Sequence, residues 1–319
     1  MKSFPRIIFY GTPEFAVTSL KRLTDSGYHI VSVVTAPDKP SGRGLKEHPS
    51  SVKQFAIDHN IPVLQPTNLK DPLFLNQLEN LHPDLQIVIA FRMMPKQVWN
   101  LPPLGTFNLH ASLLPQYRGA APIHRAIING EHETGVTTFF LNEQIDAGRI
   151  LLSEKVTIGP DETTGELHDR LMETGAGLVL RTVEGIVSGQ INQTLQDTGV
   201  AEFSQLKTAP KILREDCRID WKQDVEVVYN FIRGMSPHPG AFTELEMPSG
   251  EKTVLKIFRT TPERSTTSGV PGTFFSDGKT FLRVEVKNGF LHLDEVQLSG
   301  RKTMNCADFL RGFGRLFTK

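Results

Sequence analysis

The stretch "RIIFYGTPEFAVTSLKRLTDSGYHIVSVVTA", Arg6 to Ala36, decides the fold. Its apolar run "RIIFY" reads as a buried strand, since no polar residue interrupts it after Arg6. Gly11, Thr12 and Pro13 then make a turn. Ala16, Leu20 and Leu23 follow at helical spacing, and Gly27 suits the cap at the helix end. "HIVSVVTA" is a second strand. Strand, helix and strand in this order predict parallel pairing, because a parallel return needs a crossover.

The alternation continues downstream. "SSVKQFAIDHN" reads as a helix and "IPVLQP" as a short strand. "DPLFLNQLENL" reads as a helix with Leu73, Leu75, Leu78 and Leu81 along one side, and "LQIVIAF" as a fully apolar strand. Another strand opens at Thr106, and a helix runs from about Ala121 to Asn129. "TGVTTFFLNEQIDAGRILLSEKVTI" gives two strands joined by a polar loop. A long helix spans about Thr164 to Val187, with Leu167, Leu171 and Leu178 inward. The expected first domain, residues 1–189, is a doubly wound, Rossmann-like α/β sheet. Polar, aperiodic residues 190–207 are expected to be a linker. Beyond it, after a helix in "VEVVYNFIRGM", short strands are divided by "PSGE", "SDGK" and "KNGF". This predicts a small OB-like β-barrel over residues 208–319.

The chain has 319 residues, of which 39% are apolar, enough for two domains with ordinary cores. No stretch approaches a membrane-spanning length. The opening apolar run is too short for a signal peptide. Cys217 and Cys306 lie too far apart for a disulfide framework or zinc site, so a reduced, cytoplasmic setting is expected. Net charge is zero, yet from Lys207 onward there are 18 basic and 14 acidic residues. That mild basic tilt permits a polyanionic partner.

The candidate chemistry sits in "TFNLHASLLPQYRGAAPIHRAI", Thr106 to Ile127. Phe107 and Leu109 take one face of the strand, so Asn108 and His110 share the other. In an open α/β sheet, ligands sit beyond the carboxyl ends of the strands, where this pair lies. An amide donor and an imidazole suit acyl transfer to an amine. The first can stabilise the oxyanion, and the second can donate to it and carry a proton. Asp146, in "QIDAGRI", is the candidate carboxylate to hold the imidazolium or take a proton from the amine. The alternative is a satisfied polar strand end and an ordinary turn aspartate. No His, Cys, Asp or Glu grouping has metal-ligand spacing. "YGTPEF" lacks the glycine signature of a dinucleotide site, and no P-loop is present.

The loop Thr35 to Pro49, "TAPDKPSGRGLKEHP", is long for a strand–helix connection and carries Lys39, Arg43 and Lys46. Gly42 and Gly44 flank Arg43, which would let the backbone bend around an anionic partner. A solvated loop is the plain alternative.

Taken together, "NLHASLLPQYRGAAPI" and the Asp of "DAGRI" resemble the signature of the folate-dependent formyltransferases. "IIFYGTPEFA", "PDKPSGRG", "RIDW", "SPHPGAF" and "LSGRKTMNCADFLRG" look like the methionyl-tRNA branch of that family. The resemblance covers nearly the whole chain. It implies Asn108, His110 and Asp146 as the catalytic trio, with Ser112, Leu113, Leu114 and Pro115 lining the folate site. It implies Gly42, Arg43 and Lys211 as tRNA contacts. The implied reaction moves a formyl group from 10-formyltetrahydrofolate to the methionine α-amine of initiator methionyl-tRNA, without a metal, in a monomer. Two positions depart from the pattern. Arg92 replaces a usual glycine at the edge of the folate pocket, where it either narrows the pocket or reaches the folate's carboxylate tail. His238 stands where an aromatic residue is common. Rival readings are a sugar-nucleotide (4-amino sugar) formyltransferase, a single-domain purine-pathway enzyme and a non-catalytic tRNA-binding module. The "PDKPSGRG" loop argues against the first and the extra domain against the second.

Overall fold

The computed structural model describes residues 4–41, 46–196, 206–247, 250–266 and 268–317. The chain divides into two compact units. One comprises Met1–Gly119, Thr134–Val156 and His168–Thr208, and the other Ala120–Glu133, Thr157–Leu167 and Ala209–Lys319. Residues 191–196, in the stretch expected as a linker, belong to the first unit. There Thr194 exchanges both backbone hydrogen bonds with Ile150, at 2.8 and 2.9 Å.

The first unit is built on a seven-stranded sheet. Its order is Ile150–Thr157, Glu133–Phe140, Thr106–His110, Leu85–Ile89, Arg6–Gly11, His29–Val34 and Val63–Leu64. From Thr106–His110 to Val63–Leu64 every pairing is parallel, as the strand–helix alternation predicts. The strand Thr106–His110 pairs antiparallel on its other side, with Asn108 opposite Phe139 and His110 opposite Thr137. The sheet is therefore parallel-dominant rather than wholly parallel. Helix Glu14–Asp25 buries Ala16, Leu20 and Leu23 on the expected face. Ser50 and Asp71 cap the helices Ser51–Asp58 and Pro72–Asn80 through their side chains.

Of the four leucines expected along one helix side, Leu75, Leu78 and Leu81 pack on the core and Leu73 does not. In Pro72–Asn80 the buried residues are Phe74 and Leu78, whereas Leu73 is 75% exposed. Residues four apart stack along one side of a helix, and Phe74 brings the larger apolar surface to that side. Leu167, Leu171 and Leu178 are fully buried on the helix Thr164–Ser188, as their spacing predicts. At Gly175 of this helix an added Cβ would lie 2.7 Å from Leu109 Cδ2. The helix thus packs closely on the Leu109 face of its strand.

The second unit holds an antiparallel curled sheet in the order Ala241–Glu246, Lys252–Arg264, Gly289–Leu298, Leu282–Val286 and Phe274–Ser276, with Met304–Asn305 beside Gly289–Leu298. This half-barrel encloses a core that includes Val228, Ile232, Leu255, Leu291 and Phe309. Helix Cys306–Phe313, which the sequence reading did not identify, begins at Asn305, whose side chain accepts from the Asp308 amide at 2.9 Å.

Thr163 and Glu166 form a reciprocal cap ahead of the long helix. The Thr163 amide first, and the Arg259 guanidinium at 2.5 Å after it, hold the Glu166 carboxyl down at about 2 against a usual 4.5. A lowered folded-state value gives stability that is present above pH 4.5 and lost as pH falls toward about 2. Nearly half of this side chain is exposed, so screening reduces the effect. Glu166→Gln is expected to cost about 1 kcal/mol in urea unfolding at pH 7. The gap from the wild type is expected to narrow as pH falls below 4.5.

Candidate active site

Asn108 and His110 lie at the carboxyl end of the strand Thr106–His110, on the face opposite Leu109. His110 is buried, and its Nε2 is 2.9 Å from the carbonyl oxygen of Tyr117. A carbonyl can only accept, so Nε2 carries the hydrogen and donates it. The nitrogen left to exchange a proton is Nδ1, and it faces Asp146 Oδ2 at 4.0 Å. That separation exceeds a hydrogen bond, so proton passage between the two needs a water or a small loop movement. Asn108 is half-buried. Its Oδ1 is fully enclosed and has no hydrogen-bond partner among the described residues. An enclosed acceptor without a donor is unusual.

Asp146 follows the exposed residues Asn142 to Ile145 and has a left-handed backbone, φ +50°. Asp tolerates this region better than most residues. Its Oδ2 accepts from the Gly119 amide at 3.0 Å. Gly148 closes the turn, and an added Cβ there would fall 1.6 Å from the Phe140 carbonyl oxygen, so only glycine fits. The segment Tyr117 to Gly119 therefore touches both partners: Tyr117 takes the imidazole N–H, and Gly119 supplies the amide to the carboxylate. Tyr117 has φ +59°, a local reversal that turns its carbonyl toward His110. The sequence reading saw the Arg-Gly pair as a signature and gave this backbone no role.

Ser112 is buried, and its hydroxyl donates to the Gln116 carbonyl at 2.7 Å. Thr137 Oγ1 donates to the Ser112 carbonyl at 2.7 Å and accepts from the Leu114 amide at 3.2 Å. These bonds pin the Ser112–Pro115 segment to the strand Glu133–Phe140. Leu114 is buried, while Leu113 and Pro115 are partly exposed, so apolar side chains follow Asn108 and His110 closely in sequence.

Arg92 is tied down. Its guanidinium donates to the carbonyls of Pro66 and Thr67 and lies 5.7 Å from the Phe91 ring centre. A cleft of 1090 Å³ beside it is lined by residues that include Asn68, Lys70, Met94 and Leu101, with none of Asn108, His110 or Asp146. Lys211 is exposed in the second unit. Gly42 and Arg43 lie outside the described residues. The short strands Lys39–Ser41 and Lys46–His48 pair antiparallel on either side of them. His238 is exposed, and its carbonyl accepts from His124 Nε2 at 3.1 Å. Among the described residues no three His, Cys, Asp or Glu side chains are grouped to hold a metal ion. No helix among them is long and apolar enough to cross a membrane.

Comparison with known proteins gives a consistent picture. A family model described as formyl transferase matches residues 5–183, and one described as formyl transferase, C-terminal domain, matches residues 211–314. A methionyl-tRNA formyltransferase of Bacteroides fragilis (strain YCH46) is 50% identical over 308 residues, which is 97% of this chain and 95% of that protein. One from Flavobacterium johnsoniae is 48% identical over 307 residues, 96% of each. Among solved structures, HypX from Aquifex aeolicus in complex with tetrahydrofolic acid aligns with TM-score 0.65 and 20% identity. The match takes in 98% of this chain and 48% of that one. WlaRD, a sugar 3N-formyl transferase, aligns with TM-score 0.63 and 18% identity, over 94% of this chain and 100% of that one. At these identities the two structures speak for the fold alone.

Proposed function

This chain belongs to the formyl transferase family, and on that premise we propose that it moves a formyl group from 10-formyltetrahydrofolate to the α-amine of methionine on initiator methionyl-tRNA. The observation that carries this reading is half identity to methionyl-tRNA formyltransferases over 97% of the chain. The site residues fit such a reaction, since Asn108 and His110 end one strand and Asp146 Oδ2 stands 4.0 Å from His110 Nδ1.

The folate supplies an activated one-carbon acyl group, and the chain's side chains do the rest. Asn108 presents its amide to the oxygen on which negative charge builds as the amine adds. His110 has its Nε2–H committed to Tyr117, so Nδ1 is the nitrogen that gains and gives up the proton. Asp146 stands 4.0 Å from that nitrogen; the proton the amine loses passes through water to this pair and on to N10 of tetrahydrofolate as the bond from N10 to the formyl carbon breaks. Gly42, Arg43 and Lys211 are the proposed contacts to the tRNA, largely to its phosphates. The protein acts as a monomer in the cytoplasm.

The decisive experiment offers methionyl initiator tRNA and a 4-amino sugar nucleotide to the enzyme with one formyl donor. Formylation of the tRNA alone supports the proposal, and formylation of the sugar alone overturns it. A second expectation concerns the basic loop. Arg43→Ala is expected to raise KM for the charged tRNA about tenfold, the loss of one charge-assisted contact, with KM for the folate unchanged. Its salt dependence is expected to be shallower as well. Equal loss toward both substrates would remove Arg43 from the tRNA contact.

A further inference from the structure

We propose that Gln196 is a positioning residue for formyl transfer, clamping the loop that carries Asp146 so that its carboxylate faces His110. The inference rests on the catalytic reading of Asp146 and adds a residue from the stretch that sequence reading treated as a linker.

The geometry is that of a two-sided amide clamp. Gln196 Nε2 donates to the carbonyl oxygens of Asp146, at 3.0 Å, and Gly148, at 2.7 Å. Its Oε1 accepts from Arg118 Nε at 3.1 Å and from Arg118 Nη2 at 2.7 Å. Both ends of the carboxamide are thus fully used. The two carbonyls flank Ala147 in a turn that leaves the sheet ladder, so the strand pairing gives them no donor. Around them the chain is exposed: Asn142 to Ile145 precede the turn, and Asn192 to Leu195 precede Gln196. Within residues 192–196, Gln196 alone is drawn inward. The Thr194 pairing with Ile150 places its backbone beside the strand that follows the turn, which sets the reach of the side chain.

Arg118 closes the circuit. Its neighbours on either side are the backbone groups that hold the site, the Tyr117 carbonyl on His110 and the Gly119 amide on Asp146. Burial pushes the Arg118 guanidinium below its usual range, with the charge of Asp146 acting the other way. A partly desolvated cation needs hydrogen-bond acceptors, and Gln196 Oε1 supplies a doubly used one. Without Gln196, Asp146 keeps the Gly119 bond to its carboxylate but loses the tie on its main chain. The turn is then free to rotate about the residue whose separation from His110 Nδ1 matters.

The test compares Gln196→Ala, and Gln196→Met as a same-length variant without polar atoms, with the wild-type enzyme. Formylation of methionyl initiator tRNA is followed at varied concentrations of each substrate. Both variants are expected to lower kcat about 10- to 100-fold, the penalty of a misplaced catalytic group. Both KM values are expected to stay within about twofold. A residue that acts through Asp146 has nothing further to lose once that carboxylate is gone. Gln196→Ala added to Asp146→Asn should therefore leave the kcat of the single Asp146→Asn variant unchanged. If Asp146→Asn is impaired while both Gln196 variants keep wild-type kcat, or if the losses multiply in the double variant, Gln196 has no positioning role. If Asp146→Asn itself keeps wild-type kcat, the reading of Asp146 fails and this inference falls with it.

Discussion

Asn108→Ala is expected to lower kcat by about 10²- to 10³-fold, equivalent to roughly 3–4 kcal/mol of lost transition-state stabilisation, with KM for either substrate little changed. The argument begins with the strand. Its period of two puts Asn108 beside His110 and away from Leu109, whose face is covered by the helix at Gly175. Its Oδ1 has no partner among the described residues, so that oxygen does not help to hold the fold together. A donor aimed at charge that appears only during reaction acts on kcat, because the ground-state carbonyl has less charge to stabilise. Removing the amide also removes an unsatisfied buried atom, so the thermal midpoint is expected to hold or rise slightly. Steady-state kinetics and thermal unfolding on the same preparation check both statements. A variant with wild-type kcat would take Asn108 out of the reaction.

Asp146→Asn is the second large expected loss, about 10²- to 10⁴-fold in kcat, the range of a general acid–base group. Asn is the informative replacement here. Like Asp, it accepts the left-handed backbone at φ +50°, and its Oδ1 can still accept from the Gly119 amide. The shape of the turn is therefore kept, and the change is confined to the charge that faces His110 Nδ1. The loss should appear in kcat and kcat/KM alike, since the role proposed for the carboxylate is exerted while the amine loses its proton. Comparable turnover in the two proteins would mean that the 4.0 Å pairing has no part in catalysis. Gly148→Ala is not an equivalent test: its new Cβ would collide with the Phe140 carbonyl and move the whole turn.

The amino-acid sequence alone determined the features that depend on local periodicity. The alternation of apolar strands with helices predicted the parallel run of five strands, and the spacing of Leu167, Leu171 and Leu178 predicted the buried side of the long helix. A spacing of two placed Asn108 and His110 on one face. On the helix Pro72–Asn80 the spacing placed Leu75, Leu78 and Leu81 toward the core, whereas packing took in Phe74 and left Leu73 outside. What only the tertiary structure decided is who touches whom across long separations. Asp146 meets His110 from 36 positions away in sequence, and Gln196 reaches the Asp146 carbonyl from 50 and Arg118 from 78. Those partners include backbone carbonyls and amides, which every residue possesses and which no side-chain pattern can mark. Their direction follows from φ reversals at Tyr117 and Asp146, and so from the folded path of the chain rather than from residue type.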